Sequence, residues 1–308
     1  LLDAEPPELA DLNPAGARPV VYAVISPDSS AGSNPRAEAD SPASKPGTER
    51  AALLADALRE RIDAGDPVLL GLSPSVFPTF GDDDPFTALL APLGVQARTD
   101  TPVLSTANAA LGPATAWDMR IVPNLTDQSR GAANPIAQAV DGLPFAMEWP
   151  IPFERTDETP EAPSVYPLLT LDIPGAWSES EWLAYWRTPR AQRALLRDPP
   201  VYDEPDGNVL SEVDSPKTDT RGPFTVAVAI EHAPTGSASP ARLVAVGTNL
   251  WFFDRVWQSQ QNLAGRGVLT NPGNPEFFDA AVLWLAGRDE LIAPSPQARP
   301  VARIKPIS

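Results

Sequence analysis

The sequence predicts an α/β fold: a mostly parallel sheet flanked by helices, with proline-rich loops and insertions. Three observations predict it. Pro19–Ser26 (PVVYAVIS) and Pro67–Leu72 (PVLLGL) are short, unbroken apolar runs, the pattern of strands buried on both faces. A stretch of helical period lies between them, giving the order of a βαβ unit. Further on, Phe224–Glu231 (FTVAVAIE) and Arg242–Gly247 (RLVAVG) read as adjacent strands, and an amphipathic helix follows over Asn274–Gly287.

The other elements follow from local chemistry. Ser26–Gly47 is rich in Ser, Pro, Ala and Asp and reads as a long loop. The first helix starts with Thr48 as N-cap, presents Leu53, Leu54, Ala57, Leu58, Arg61 and Ile62 on one face, and ends at Gly65. A second helix spans Asp84–Leu93, capped by Asp84 or Asp83, with Pro85 in its first turn and Gly94 as its stop. Val95–Leu104, Met119–Pro123 and Phe145–Phe153 read as short strands among turns, and Tyr166–Ile173 as a clearer one. Ser178–Leu196 holds a helix capped at Ser178 or Ser180 and reset near Pro189. Asp198–Gly222 reads as a polar loop, and Pro234–Ser237 as a turn. Two parts result, an N-terminal α/β part (1–142) carrying the βαβ unit and a C-terminal α/β part (143–308), able to pack as one continuous domain.

Composition narrows the function. Of the 308 residues 43% are hydrophobic and 20% charged, enough apolar surface for a folded core. Thirty-eight prolines against 19 glycines imply short elements joined by stiff loops, since proline removes a donor and sets φ. A formal charge of −17 repels phosphate backbones and anionic headgroups, which argues against nucleic acid as a partner. The absence of cysteine excludes a thiol nucleophile, a disulfide framework and a Cys-ligated zinc site. No apolar run approaches the ~18–20 residues that span a bilayer. The chain opens on Leu1-Leu2-Asp3 and reads as a soluble portion, so any membrane contact is expected only through segments outside it.

Several stretches of the C-terminal part, in order and spacing, carry a family likeness. They are Pro167–Thr170 followed by Gly175–Glu179, Arg221–Ala229 (RGPFTVAVA), Arg242–Gly247, Asn274–Phe278 (NPEFF) and Val282–Gly287 (VLWLAG). Over roughly residues 143–305 the chain resembles the gliding-motility-associated (GldG-like) auxiliary component of ABC transporters. The likeness implies a flavodoxin-like or class I glutamine-amidotransferase-like sheet on the extracytoplasmic, periplasmic side of a membrane. It also implies a membrane-tethered accessory subunit whose partners are the permease and ATPase subunits, a homologous accessory subunit, envelope proteins or glycans. One departure is visible. Thr248-Asn249-Leu250-Trp251-Phe252 stands where that family often has an acidic turn.

The candidate chemistry is sparse, and the chain is expected not to be an enzyme and to need no cofactor or metal. Gly71-Leu72-Ser73-Pro74-Ser75 approaches the nucleophile elbow G-x-S-x-G, with the single histidine, His232, downstream in hydrolase order. Ser75 replaces the last glycine, and Pro74 has no N–H for an oxyanion hole. Asp82–Asp84 reads as a cation cluster or as a solvated helix start. Asp203–Asn208 fails calcium-loop spacing. Trp177, Trp182, Tyr185 and Trp186 read either as a platform for a sugar or partner, with Trp182 and Trp186 one helical turn apart, or as helix packing. Trp251, Phe252, Phe253 and Trp257 follow the carboxyl end of a strand, where open α/β sheets bind ligands, and are the main candidate contact residues. The leading expectation is a non-catalytic interaction domain. The alternative is a secreted carbohydrate-binding module, and a serine hydrolase is the third reading.

Overall fold

The computed structural model describes residues 20–33, 44–109, 112–125, 133–156, 163–193, 195–196, 199–203, 219–233, 240–263 and 266–293. The first strands in chain order are β1 (Tyr22–Ile25), β2 (Val68–Gly71), β3 (Val95–Ala97), β4 (Val103–Ala109), β5 (Gly112–Ala116), β6 (Asp118–Ile121), β7 (Phe145–Glu148) and β8 (Phe153–Arg155). Then come β9 (Ser164–Leu171), β10 (Trp177–Ser178), β11 (Thr220–Arg221), β12 (Phe224–His232), β13 (Ala241–Val246), β14 (Gln260–Leu263) and β15 (Arg266–Leu269). The helices are α1 (Gly47–Asp63), α2 (Pro85–Leu90), α3 (Pro135–Ala139), α4 (Leu183–Arg187), α5 (Arg190–Arg193), α6 (Asp254–Trp257) and α7 (Gly273–Leu285).

Five strands form the central sheet in the order β1-β2-β13-β12-β9. The β1–β2 and β2–β13 ladders are parallel, whereas β13–β12 and β12–β9 are antiparallel. The remaining strands form one four-stranded and three two-stranded sheets, all antiparallel. A mostly parallel, flavodoxin-like or amidotransferase-like sheet is therefore not what this chain builds. The physical reason lies in a connection. Only residues 233–240 join β12 to β13, fewer than the dozen or more that a parallel crossover requires, so the two strands turn back on each other. A strand buried on both faces has the same apolar composition whichever way its neighbour runs. The sheet also takes strands from both sides of residue 142.

Alternation along the strands sorts the core into two layers. Val68, Leu70, Val228, Ile230, Leu243 and Ala245 face α1 and α2. Leu69, Leu169, Ala227, Ala229, Val244 and Val246 face the other way, against α3 and α7. Helix α1 meets the sheet through Ala51, Ala55, Leu58 and Ile62, while Leu53 of the expected face stays 50% exposed. The small side wins because Gly47 seats its α-carbon against the Asp28 carbonyl, where any Cβ would collide, and the two alanines let the helix lie close. Pro46, not Thr48, occupies the N-cap position. Asp84 does cap α2, accepting from the N–H groups of Phe86 (2.9 Å) and Thr87 (3.0 Å). Ser178 lies in β10, and Trp182 precedes α4. The break at Pro189 separates α4 from α5.

Asn274, fully buried at the start of α7, joins three segments. Its Oδ1 accepts from the Ala146 N–H (2.9 Å), and its Nδ2 donates to the carbonyls of Ala146 (2.8 Å) and Trp251 (2.7 Å). It pairs with β7 as a neighbouring strand residue would, and it holds the segment after β13 against α7. Asn274→Ala leaves the Ala146 N–H and two carbonyls to compete for partners in a dry core. The expected loss is about 3 kcal/mol of unfolding free energy, read from urea denaturation. A loss below about 1 kcal/mol would show that the clamp is dispensable.

Candidate functional site

Strands β1, β2 and β13 end at one edge of the central sheet, and β12 starts there because it runs the opposite way. Ligands of open α/β sheets bind outside this edge. Its first feature is two pairs of buried serine hydroxyls. Ser26 and Ser73, which follow β1 and β2, share a hydrogen bond of 3.1 Å. The Ser29 hydroxyl accepts from the Val76 N–H (3.0 Å) and lies 3.5 Å from Ser75 Oγ. Asn249, after β13, donates to the Ser26 carbonyl (3.2 Å). Burial pushes the Asp84 carboxyl above its ordinary value, while hydrogen bonds from Ser75, Thr87 and Phe86 pull it down. Asp84 is thus the helix cap of the Asp82–Asp84 run. Among the described residues no group of three or more His, Cys, Asp or Glu is arranged to hold a metal ion.

The elbow-like Ser73 is not brought to His232. The residue opposite His232 is Ala241, at the amino end of β13, whereas Ser73 lies beyond the carboxyl end of β2. Counting along the register, the two lie roughly 20 Å apart at about 3.3 Å per residue. The Ser73–His232 pairing on which the hydrolase reading rested is not formed: a strand-to-loop turn accounts for Ser73, and a strand end for His232. Burial holds the His232 imidazole below its ordinary pKa, with Asp63 pulling the other way. A depressed folded-state value means that the unfolded chain binds the proton more readily. Stability from this group is complete above about pH 6.5 and falls as pH drops below it. Because His232 is the only histidine, one imidazole resonance should titrate below the ordinary value. The stability of His232→Gln, compared with that of the parent, should lack this acid-side loss; an unchanged slope would refute the assignment.

Beside the hydroxyl set lies an aromatic cluster of Val76, Leu104, Trp149, Trp177, Trp182 and Tyr185. Each polar tip ties down a different segment. Trp182 Nε1 donates to the Asp100 carbonyl (2.7 Å), the Tyr185 hydroxyl to the Thr115 carbonyl (3.0 Å), and Trp186 Nε1 to Ser30 Oγ (3.2 Å). The Arg193 guanidinium caps the cluster, 4.8 Å from the Trp117 ring centre and 5.0 Å from that of Trp149, while bonding the carbonyls of Tyr185 and Trp186. Trp149 itself has φ of 51°, a strained value for a bulky residue. Its neighbours hold it there through Trp149 N–H to Trp117 O (2.7 Å), Val103 N–H to Pro150 O (2.7 Å) and Thr248 Oγ1 to Glu148 O (2.6 Å).

The six sequence-derived contact candidates divide sharply. Trp182 is 3% exposed and Trp251 1%, so both are core residues and cannot form a stacking platform. Trp251 packs among Phe145, Phe252 and Phe277 at centroid distances of 5.2–6.0 Å. Trp186, Phe252 and Trp257 are half-buried, and Phe253 is exposed at 38%. Burial wins because each indole offers far more apolar area than any surface position needs. Of the other expectations, Asp203 is described but 204–208 lie outside the described residues, as does the Pro234–Ser237 turn.

The same edge opens into a cavity of about 170 Å³, where Arg98, Glu154, Ser178 and Phe224 come together. Sequence reasoning did not find it, because its walls come from the ends of β3, β8, β10 and β12 and no spacing links them. The nearby Glu179 carboxyl is pushed upward by burial, opposed by hydrogen bonds from Trp177 Nε1 and the Glu181 N–H. Fold and edge together define an α/β protein with a mixed central sheet, two helices on each face, and a cluster of aromatic side chains and hydroxyls at the carboxyl ends of its parallel strands. No protein-family model matches the chain, and no curated protein matches it either.

Proposed function

We propose that this chain is a non-catalytic, extracytoplasmic interaction domain of a membrane-tethered ABC-transporter accessory subunit. The observation that carries the reading is how the edge of the central sheet is organised. Its hydroxyls bond one another, and its tryptophans anchor separate segments, so this region acts as a rigid frame for a surface. The likeness of Arg221–Ala229, Arg242–Gly247 and Asn274–Gly287 to the gliding-motility-associated auxiliary family supplies the transporter context. The strongly acidic balance favours a partner surface with basic patches. Among the described residues no helix is long and apolar enough to cross a membrane.

The test is co-purification of the full-length parent from solubilised envelopes. Recovery of ATPase and permease subunits is the expected result, and recovery of neither would overturn it. Phe253→Glu, at the exposed position of the post-β13 segment, is expected to reduce that recovery while leaving the unfolding midpoint within about 0.5 kcal/mol of the parent.

A further inference from the structure

We propose that the cavity at the strand edge binds a small neutral polyhydroxyl ligand, a polyol or the terminal ring of a sugar. The inference is independent of the transporter reading. Size is the first argument: the cavity measures about 170 Å³, and a cavity of ~150 Å³ accepts a six-membered ring such as benzene. Charge is the second. The two ionic side chains that line it, Arg98 and Glu154, are paired with each other at 3.0 Å, and Asp100 lies 3.5 Å from the same guanidinium. No net positive charge is left to attract an anion, and a cation meets the guanidinium.

Hydrogen-bond chemistry is the third argument. Four hydroxyls line the space. Ser178 and Thr220 face each other across the β10–β11 pair at 2.6 Å, a contact that uses only one of their two hydroxyl protons. The hydroxyls of Thr101 and Thr225 have no hydrogen-bond partner among the described residues. Donors from Arg98, acceptors from Glu154 and groups that do both are thus combined, which is the set a ring of hydroxyls requires. Phe153 and Phe224, both buried, supply the apolar wall for the C–H faces of such a ring. Location agrees with this: the cavity opens where α/β sheets place their ligands.

The experiment titrates the purified chain with myo-inositol, D-glucose and methyl α-D-glucopyranoside, alongside acetate, phosphate and tetramethylammonium, by calorimetry and by amide chemical-shift perturbation. Saturable binding of at least one neutral probe, with shifts centred on Thr101, Ser178 and Thr225, is expected. The Thr101→Ala/Thr225→Ala double variant is expected to weaken it by about tenfold with an unchanged melting temperature. Glu154→Gln, on a half-exposed side chain, should weaken it as well. Binding of the methyl glycoside as tight as that of glucose assigns the site to a glycan terminus, and binding of the free polyols alone assigns it to a soluble ligand. No saturation by any neutral probe, preference for the ions, or indifference to the double variant would each overturn the proposal.

Discussion

Gly247→Ala is expected to cost about 4 kcal/mol, at the upper end of what a single methyl group can do. The Gly247 N–H donates to the Val226 carbonyl (2.8 Å), and its own carbonyl accepts from the Ile151 N–H (2.7 Å). A Cβ there would overlap the Ile151 carbonyl oxygen and sit 3.1 Å from that of Val226. Both obstacles are backbone, so no rotamer change relieves them. Retreat of the Ile151 side would also pull on Trp149 and Pro150, which hold Trp117 and Val103. Gly71→Ala supplies the comparison, because its nearest atom would be 3.3 Å away, and a cost of about 1 kcal/mol is expected. Urea midpoints at constant m-value rank the two. Equal costs, or a Gly247→Ala cost below about 1 kcal/mol, would mean that this edge yields readily and is not a rigid frame.

Trp251→Ala is expected to lose a similar amount, about 4 kcal/mol, by emptying the centre of the cluster formed with Phe145, Phe252, Phe277 and Phe278. Trp251→Phe should lose only about 1–2 kcal/mol. It keeps a ring in place and removes an indole N–H that has no hydrogen-bond partner among the described residues. The pair distinguishes packing from contact. A residue that served mainly to grip a partner would tolerate alanine with little change in unfolding free energy. Such a result would return Trp251 to the surface and contradict its burial.

Local structure was legible wherever one stretch of chain satisfies its own chemistry. Asp84 caps the helix that follows it, and Gly94 and Gly287 take the left-handed conformation that ends theirs, at φ of 78° and 67°. The runs at 68–71, 224–232 and 241–246 became strands because their apolar side chains fill both faces. The face of α1 was misread because the sheet selected Ala51 and Ala55 over Leu53. Hydrophobicity alone marks the larger residues, while close packing against a flat sheet rewards the smaller ones.

What the sequence by itself determined is therefore the inventory: an α/β class, most strand and helix segments, a strongly negative surface and the exclusion of thiol chemistry. Tertiary structure alone decided the placement of β9 beside β12 and of β13 beside β2 in the central sheet, the burial of Trp182 and Trp251, the distance between Ser73 and His232, and the cavity around Arg98. The reason is the range of the forces involved. Periodicity and capping act within a few residues, whereas strand order, burial and a cavity depend on which distant segments exclude water together.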